Sequence, residues 1–236
     1  MKAPPDLTSL SSEAYESVRR RILRGELSLG ESISRRKIAA ELGMSFLPVS
    51  EALLRLELEG FLESRPRAGT RVRIPSREDV QGHYIVREAL ETQAARLFAQ
   101  LATARERVEL KKLAIRCDSL ARLADRLPYL QLHERLHRRI AECARCPALS
   151  HAIEQTHSLA STWLCVPADA KLPKLNRPHE DLADGLCGQD PDAAATAMRT
   201  HVHTSLQRTM IRLGDYFQLR DTRGKKFARK KKELAQ

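Results

Sequence analysis

The sequence predicts a mainly α-helical protein, with an N-terminal winged helix-turn-helix followed by a C-terminal all-α bundle. Aromatic residues are only 4% of the 236 residues and 10 residues are glycine, which is poor material for a β-sandwich or barrel. Apolar residues recur at helical spacing over most of the chain, and two short β-rich runs flank one basic turn. Hydrophobic residues at 42% and charged residues at 30% indicate a globular chain.

The first predicted helix runs from Ser12 to Arg24, because four apolar residues share one face there and Gly25 follows. These four are Tyr15, Val18, Ile22 and Leu23. Residues 1–10 are expected to be flexible, and the N-terminal domain is expected to cover residues 11–75.

Two further helices follow, joined by a short turn. Ser34 is placed to cap the second helix, and Gly43 offers a left-handed exit from it. Ser45 is placed to cap the third, Pro48 falls in its first turn, and Gly60 ends it. Two helices joined in this way predict a helix-turn-helix, whose second helix is short enough to lie in a DNA major groove.

A β-hairpin is predicted after Gly60. Residues 61–64 and 70–74 are β-rich, and the turn between them contains Arg65, Arg67 and Gly69. Attached to a helix-turn-helix, such a hairpin is a wing, and its basic tip suits phosphates or a narrow minor groove. A small helical domain with an incidental hairpin is the alternative, but the spacing favours DNA binding.

Residues 19–72 resemble the winged-helix domain of GntR-type bacterial transcription regulators. The stretch RRRILRGELSLGESISRRKIAAELGMSFLPVSEALLRLELEGFLESRPRAGTRV contains an Ile-Leu-x-Gly lead-in, Ala-x-x-Leu-Gly, Ser-x-x-Pro-Val, Leu-Glu-x-Glu-Gly and the wing glycine. The resemblance implies that Arg36, which opens the first helix of the motif, contacts the DNA backbone.

Phe46 and Ser50 depart from the family pattern, because they stand where two arginines usually contact bases or phosphates. Neither side chain can form the bidentate fork by which arginine reads guanine, so the operator is expected to differ from the usual one. Binding is then expected to depend more on the wing and on the basic residues of the helices. The predicted DNA-binding residues are Arg35, Arg36, Lys37, Ser45, Phe46, Ser50, Arg55, Arg65, Arg67 and Gly69.

Residues 76–218 predict about six helices with no convincing strand. Ser76 and Asp79 form a possible capping box after the linker at 74–76. Prolines at 128, 147, 178 and 191 fall near expected helix starts. An all-helical bundle is the simplest architecture for this region.

Two histidines in this region are spaced one helical turn apart, at His133 and His137. The intervening sequence spells H-E-x-x-H, which in zincin peptidases supplies two zinc ligands and, here at Glu134, a general base. No third ligand follows at the metzincin spacing, and a charged helix produces this pentapeptide easily. A zinc-dependent hydrolase is therefore kept as the alternative hypothesis.

The same region resembles the all-helical, FCD-type effector domain of the FadR-like branch of GntR regulators, over about residues 79–215. In that domain one carboxylate and three histidines surround a divalent metal. The resemblance assigns the three histidines to His137, His179 and His201, with His133 in the place of the carboxylate. An all-imidazole set suits Zn, or Ni, better than Mg. His83, His151, His157 and His203 receive no role, although His203 is a substitute if the last helix is shifted.

Four neutral imidazoles would leave the charge of the metal uncompensated, so a small organic-acid effector is expected to complete the site. Arg87, within a Val-Arg-Glu-Ala-Leu-Glu run that also resembles the family, and Arg199 are candidates for a second grip on that acid.

Charge is concentrated at the two ends of the chain, whose net charge is +11. Residues 219–236 carry eight lysines and arginines against two acidic residues, so this tail is expected to be disordered, with polyanion contact possible. Five cysteines without framework spacing are expected to be reduced, and no apolar run suggests a signal peptide or a membrane span. A cytoplasmic location is the resulting expectation.

The leading hypothesis is a ligand-responsive DNA-binding transcription regulator, a repressor by family resemblance, that binds operator DNA as a homodimer. A nonspecific nucleic-acid packaging protein is a third hypothesis, and it would depend on the basic tail rather than on the N-terminal domain.

Overall fold

The computed structural model describes residues 7–65, 69–121, 127–166 and 176–220. The chain divides into two compact units, Met1–Ile74 and Pro75–Gln236. No helix among the described residues is long and apolar enough to cross a membrane. Arg67 and most of the basic tail lie outside the described residues.

The first unit consists of three helices and a small antiparallel sheet. Its elements are α1 (Leu7–Leu23), β1 (Ser32–Ile33), α2 (Arg35–Leu42), α3 (Phe46–Leu58), β2 (Leu62–Arg65) and β3 (Gly69–Val72). Helix α1 begins at Leu7 rather than near residue 12, so residues 7–10, expected to be flexible, are helical.

The core of this unit forms between α1 and α3. Val18 on α1 and Leu56 on α3 are fully buried, and the other residues expected on the inner face of α1 are also buried. The Tyr15 hydroxyl donates to Glu59 at 2.5 Å, and the Arg55 guanidinium lies 3.9 Å from the Tyr15 ring centre. Polar contacts therefore add to the apolar packing of α1 on α3.

Helix α2 has the predicted caps at both ends. The Ser34 hydroxyl accepts a hydrogen bond from the backbone N–H of Lys37 at 3.3 Å, and Gly43 has φ +63°. The prediction for Ser45 is only partly correct. Ser45 occupies the N-cap position of α3 in an extended conformation, but its side chain makes no capping hydrogen bond.

The wing is a three-stranded sheet in the order β1-β3-β2, with Leu62 opposite Val72 and Arg65 opposite Gly69. Strand β1 was not predicted, because two residues are too short to show an alternating pattern. The Glu57 carboxylate, near the end of α3, accepts hydrogen bonds from the backbone N–H and the hydroxyl of Ser64 at 2.8 and 2.7 Å. These bonds join the wing to α3.

The second unit is helical throughout its described residues. Its elements are α4 (Arg77–Leu101), α5 (Ala104–Leu120), α6 (Leu127–Cys143), α7 (Pro147–Cys165), α8 (Pro178–Cys187) and α9 (Pro191–Arg212), followed by helical residues 214–220. Ser76 and Asp79 form the predicted capping box at the start of α4. Proline occupies the first position of α7, α8 and α9, as the sequence predicted.

The long helices α4 and α9 pack side by side along the bundle. The hydroxyl of Tyr84 on α4 forms hydrogen bonds with the hydroxyls of Ser205 and Thr209 on α9, at 3.0 and 2.8 Å. Helices α8 and α9 approach so closely that a Cβ at Gly185 would lie 2.5 Å from the Cβ of Ala197. This close approach packs the end of α8 against the first half of α9.

Candidate DNA-binding surface and metal centre

Three of the predicted DNA-binding residues meet in one surface hollow of the first unit. Arg35 at the start of α2, Arg65 at the end of β2 and Gly69 at the start of β3 line a hollow of about 380 Å³. Ile33, Ser64 and Thr70 complete its lining. Two guanidinium groups and a backbone without a side chain suit a phosphate of the DNA backbone.

The exposed start of α3 is apolar rather than basic. Phe46 is 53% exposed and Leu47 is 55% exposed. The Ser50 hydroxyl donates to the carbonyl of Phe46 at 2.8 Å, which engages it within the helix. Arg36 and Lys37 on α2 are both exposed to solvent.

Arg55 is held by its own unit, since its Nε donates to the Glu59 carboxylate at 2.9 Å while its guanidinium stacks on Tyr15. It does not join the other predicted DNA-binding residues in the hollow. Its role in DNA binding stays a prediction, as does that of Arg67, which lies outside the described residues.

The four histidines assigned to the metal come together inside the second unit. The ring centres of His133 and His137 on α6 are 4.6 Å apart, and the ring of His201 on α9 lies 5.1 Å from that of His137. His179 at the start of α8 lies 5.2 Å from both His133 and His201. Donor atoms of His133, His137 and His201 lie within 4.8 Å of one another.

Several nitrogens of this histidine cluster are buried without a hydrogen-bond partner. They are His133 Nδ1, both ring nitrogens of His137, and His201 Nε2. Burial, reinforced by the neighbouring imidazoles, lowers the pKa of His137 to about 3 and holds the pKa of His133 and of His201 well below its ordinary value. These three residues therefore present neutral imidazoles with free lone pairs, the form that binds metals.

Asp118 on α5 fixes the position of His179. Its carboxylate accepts the ring Nδ1–H of His179 at 2.5 Å and the backbone N–H groups of His179 and Glu180 at 3.1 and 3.0 Å. Arg177, at the N-cap position of α8, makes no side-chain capping bond, so Asp118 caps α8 from another helix. With Nδ1 bonded to Asp118, Nε2 is the nitrogen that His179 has left for a ligand.

Glu91 on α4 lies against the other side of the cluster. One of its oxygens, Oε2, is 2.8 Å from His137 Nδ1 without hydrogen-bond alignment, and Oε1 is 3.0 Å from His157 Nε2. Arg87, one turn earlier and fully buried, donates to Oε1 at 2.7 Å and to His157 at 3.2 Å. Burial alone would raise the pKa of Glu91, but Arg87 and the two imidazoles hold it well below its ordinary value.

Glu91, His137 and His157 form a second group whose donor atoms lie within 4.8 Å of one another. This group is poorly suited to a cation of its own, because the Arg87 charge already neutralises Glu91. A divalent ion about 4 Å from a guanidinium would face a repulsion of about 8 kcal/mol at an effective dielectric constant of about 20. We therefore interpret Glu91 as a carboxylate that positions His137 rather than as the centre of a second metal site.

The two arginines predicted to hold an effector have different environments. Arg87 is buried beside the histidine cluster, and its NH1 has no hydrogen-bond partner. Arg199 is 53% exposed and bonds to Glu88 at 3.2 Å, so it lies on the surface of the bundle rather than in the cluster.

Comparison with known proteins decides the family of the chain. Residues 10–72 match the family described as bacterial regulatory proteins, gntR family, and residues 83–204 match the FCD domain. The chain belongs to the GntR family. This GntR regulator is 30% identical over 203 residues to a probable D-xylose utilization operon transcriptional repressor of Paenarthrobacter nicotinovorans, a match that covers 86% of this chain and 89% of that protein.

Other relatives of the regulator carry similar descriptions. The HTH-type transcriptional repressor RspR of Escherichia coli K12 is 24% identical, over 82% of this chain and 86% of its own. The solved structure of E. coli McbR/YncC has a TM-score of 0.71 and 22% identity, covering 88% of this chain and 98% of that one. A GntR-type structure from Rhodococcus sp. RHA1 has a TM-score of 0.72 and 21% identity, covering 86% and 98%. These structures show that the fold is shared.

The family membership excludes the hydrolase hypothesis, because these families and relatives are transcriptional regulators rather than enzymes.

The donor chemistry of this GntR regulator fits a divalent transition metal. Buried neutral imidazoles with unpartnered nitrogens suit Zn or another late first-row ion. Sequence reasoning gave no role to Asp118, Glu91 or His157, because nothing local distinguishes them from other residues on helix faces. Only Glu91 had a signal in the sequence: it lies one helical turn after Arg87, within the run at 86–91 that resembles the family.

Proposed function

We propose that this GntR regulator is a ligand-responsive transcriptional repressor that binds operator DNA as a homodimer and senses a small anionic metabolite at a metal–histidine site. The observation that carries the proposal is the buried cluster of imidazoles with unpartnered nitrogens in the FCD domain. Two relatives with matches over more than four-fifths of the chain are named as repressors, which supports repression as the mode of action.

The winged helix would engage DNA through backbone contacts on one side and apolar base contacts on the other. Arg35 and Arg65 would grip a phosphate in their shared hollow, with Arg36 and Lys37 adding charge from α2. Phe46 at the exposed start of α3 would contact the C5-methyl groups of thymines in the major groove, which apolar side chains recognise. An operator rich in A·T pairs at these positions is expected.

The metal ligands would be His133, His137, His179 and His201. A bound Zn or Ni ion would supply a cation that attracts an anionic ligand. Asp118 holds the His179 ring by its Nδ1–H and so orients one of the four rings through a hydrogen bond. Glu91 lies close to His137 Nδ1 and would act on that ring through its charge. Because His133 stands in the place of the carboxylate, the four proposed metal ligands include no carboxylate.

The charges around the cluster favour an anionic effector. The Glu91 carboxylate and the Arg87 guanidinium cancel each other, and Asp118 supplies one negative charge from outside the imidazoles. A divalent metal would therefore leave a net charge of about +1 in a buried site, which is costly unless an anion joins it. The unpartnered NH1 of Arg87 is a donor that a carboxylate of the effector could satisfy.

The function can be tested by fluorescence anisotropy on a fragment of the protein's own promoter region. We expect binding to weaken with rising salt and by at least about tenfold in an Arg36→Ala/Arg65→Ala variant. The charge-matched control is Arg20→Ala/Arg24→Ala, which removes two arginines from exposed positions elsewhere in the same unit. Undiminished affinity in the double variant would exclude the proposed docking of the winged helix.

The proposed sensing of a metabolite at the metal centre requires a second set of measurements with the same DNA fragment. Metal analysis is expected to find a late first-row ion in the wild-type protein and little in His137→Ala. A small carboxylate that changes DNA affinity of the wild type should leave the DNA affinity of His137→Ala unchanged. A carboxylate response that persists in metal-free His137→Ala would contradict sensing at this centre.

The homodimer can be tested by sedimentation equilibrium. Two winged helices on a two-fold symmetric operator require two chains per DNA site, so we expect a dimer at micromolar concentrations and a 2:1 complex with the fragment. A monomer in both measurements would contradict this part of the proposal.

A further inference from the structure

A surface cleft of about 560 Å³ between α5 and α6 is lined by charged side chains and is separate from the histidine cluster. One wall runs along α5 from Glu109 to Arg116, and the other along α6 from Arg135 to Glu142. The lining residues comprise five basic side chains, two acidic ones and one leucine. On each helix they follow the i, i+3, i+4, i+7 spacing of a single face.

The charges along this cleft are segregated from one end to the other. Arg139 on α6 bonds to Glu109 on α5 at 3.0 Å, and Arg145 bonds to Glu106 at 2.8 Å, so the two helices run antiparallel. Glu109 therefore lies at the same end as Glu142, which also pairs with Arg139 at 3.3 Å. The opposite end of the cleft is lined by the basic residues Lys112, Arg116 and Arg135.

Among the described residues, the basic end of the cleft is lined by no acidic side chain. Lys112, Arg116 and Arg135 are exposed and take part in no ion pair with the described residues. Arg138 is 3.8 Å from Glu142, a long contact. Like charges on two facing helix surfaces repel one another, which disfavours the packing of α5 against α6 at this end. A bound anion would turn that repulsion into attraction.

We propose that the basic end of this cleft binds the oligophosphate group of a small phosphorylated metabolite. Arginine presents a planar fork that matches phosphate oxygens, and two facing helices allow adjacent phosphates to be held from both sides. The cleft volume lies within the range of small-molecule sites, although its polar lining does not suit an apolar ligand. A nucleic-acid backbone is disfavoured, because it would have to continue past Glu109 and Glu142.

This site is independent of the metal centre and of the winged helix, and it can be tested by titrating inorganic tripolyphosphate into the full-length protein. We expect saturable binding that is at least about tenfold weaker in Arg116→Gln/Arg135→Gln. The matched control is Arg77→Gln/Lys111→Gln, which removes two positive charges from exposed positions of α4 and α5 outside the cleft lining. This control should bind as the wild type does.

Two further variants make the test specific to the cleft. Glu142→Gln removes an acid from the cleft and is expected to tighten binding by about threefold, the opposite sign to the arginine variants. The same titration in a His201→Ala background excludes chelation of a bound metal by the probe, and binding should persist there.

Three outcomes would overturn the proposal: equal affinity in Arg116→Gln/Arg135→Gln and its control, loss of binding in His201→Ala, or no saturable binding. A double variant that keeps tripolyphosphate affinity but loses operator affinity would also overturn it, since the cleft would then be a DNA contact. Circular dichroism is expected to show that the glutamine variants remain folded, because all the altered side chains are exposed.

Discussion

The carboxylate of Asp118 on α5 both caps helix α8 and holds the ring of His179, the second residue of that helix. The same two oxygens thus determine where α8 begins and which nitrogen of His179 remains free. This connection couples the folding of a helix end to the geometry of the proposed metal centre.

Asp118→Asn is expected to weaken Zn affinity by about 10-fold to 100-fold, because the amide cannot supply the negative charge that orients and polarises His179. A competitive titration with a chromophoric chelator measures this change. Asp184→Asn makes the same chemical change on the exposed side of α8 and should leave Zn affinity unaltered. Equal affinities of both variants would show that Asp118 serves as a helix cap alone.

His133→Asp is expected to change which metal the cluster prefers. A carboxylate in the place of an imidazole shifts the donor set toward harder ions, so the ratio of Mn to Zn affinity should rise. The measurement is a pair of competition titrations on wild type and variant. His151→Asp, an exposed substitution on α7, is the control, and an unchanged ratio in His133→Asp would place His133 outside the ligand set.

Phe46→Ala is expected to reduce affinity for the operator by about tenfold while leaving affinity for unrelated DNA unchanged, since an apolar contact with a thymine methyl depends on sequence. Anisotropy titrations on the two DNAs measure this difference. Leu58→Ala, 81% exposed at the other end of α3, is the matched control. A parallel loss on both DNAs would indicate that Phe46 contributes to folding rather than to readout.

Gly185→Ala is expected to destabilise the FCD domain by about 1–3 kcal/mol, because the added methyl would overlap Ala197 and push α8 from α9. Urea unfolding followed by the fluorescence of Trp163, the single tryptophan, measures this loss. Gly82→Ala in α4 meets no atom within 4 Å, and it should be neutral or slightly stabilising. Equal stabilities would show that the two helices have room to separate.

The stability of the metal-free protein is expected to fall as the pH drops below about 6.5. Burial lowers the pKa of His83 to about 4 and that of His137 to about 3, so the unfolded chain binds protons in this range before the native state does. Each such group adds about 1.4 kcal/mol per pH unit to the slope of the free energy of unfolding against pH, and stability rises toward neutral pH.

Urea unfolding of EDTA-treated protein at several pH values between 7.5 and 4.5 checks this slope. The ring centre of His83 lies 5.0 Å from that of Trp163, and its Nε2 contacts the carbonyl of Thr156. His83→Gln should therefore reduce the slope of the unfolding free energy against pH by the contribution of one group. His151→Gln on the exposed face of α7 should not change it. A stability that is flat between pH 6.5 and 4.5 would contradict the inferred neutrality of the buried histidines.

The helices of both units could largely be predicted from the sequence, because their signals are local. Ser34 and Gly43 bracket α2, the Ser76–Asp79 capping box opens α4, and prolines begin α7, α8 and α9. The four clustered histidines were found through family resemblance, since spacing alone relates only His133 to His137.

The supporting residues of the cluster could not be predicted, because their partners are distant in sequence. Asp118 is 61 residues from His179, and Arg87 is 70 residues from His157. Such pairs are brought together only by the packing of the helices. The position of Arg199 depends on the same packing, since its helix turns it toward Glu88 on the bundle surface.

Because Glu57 on α3 accepts two hydrogen bonds from Ser64 on β2, movement of the hairpin is coupled to movement of α3. If α3 lies in the major groove as proposed, the distance from that groove to the DNA strand beside the hairpin is set before any encounter. Duplexes whose groove width departs from that distance must bend or be rejected, so discrimination among promoters would include a mechanical element in addition to base chemistry.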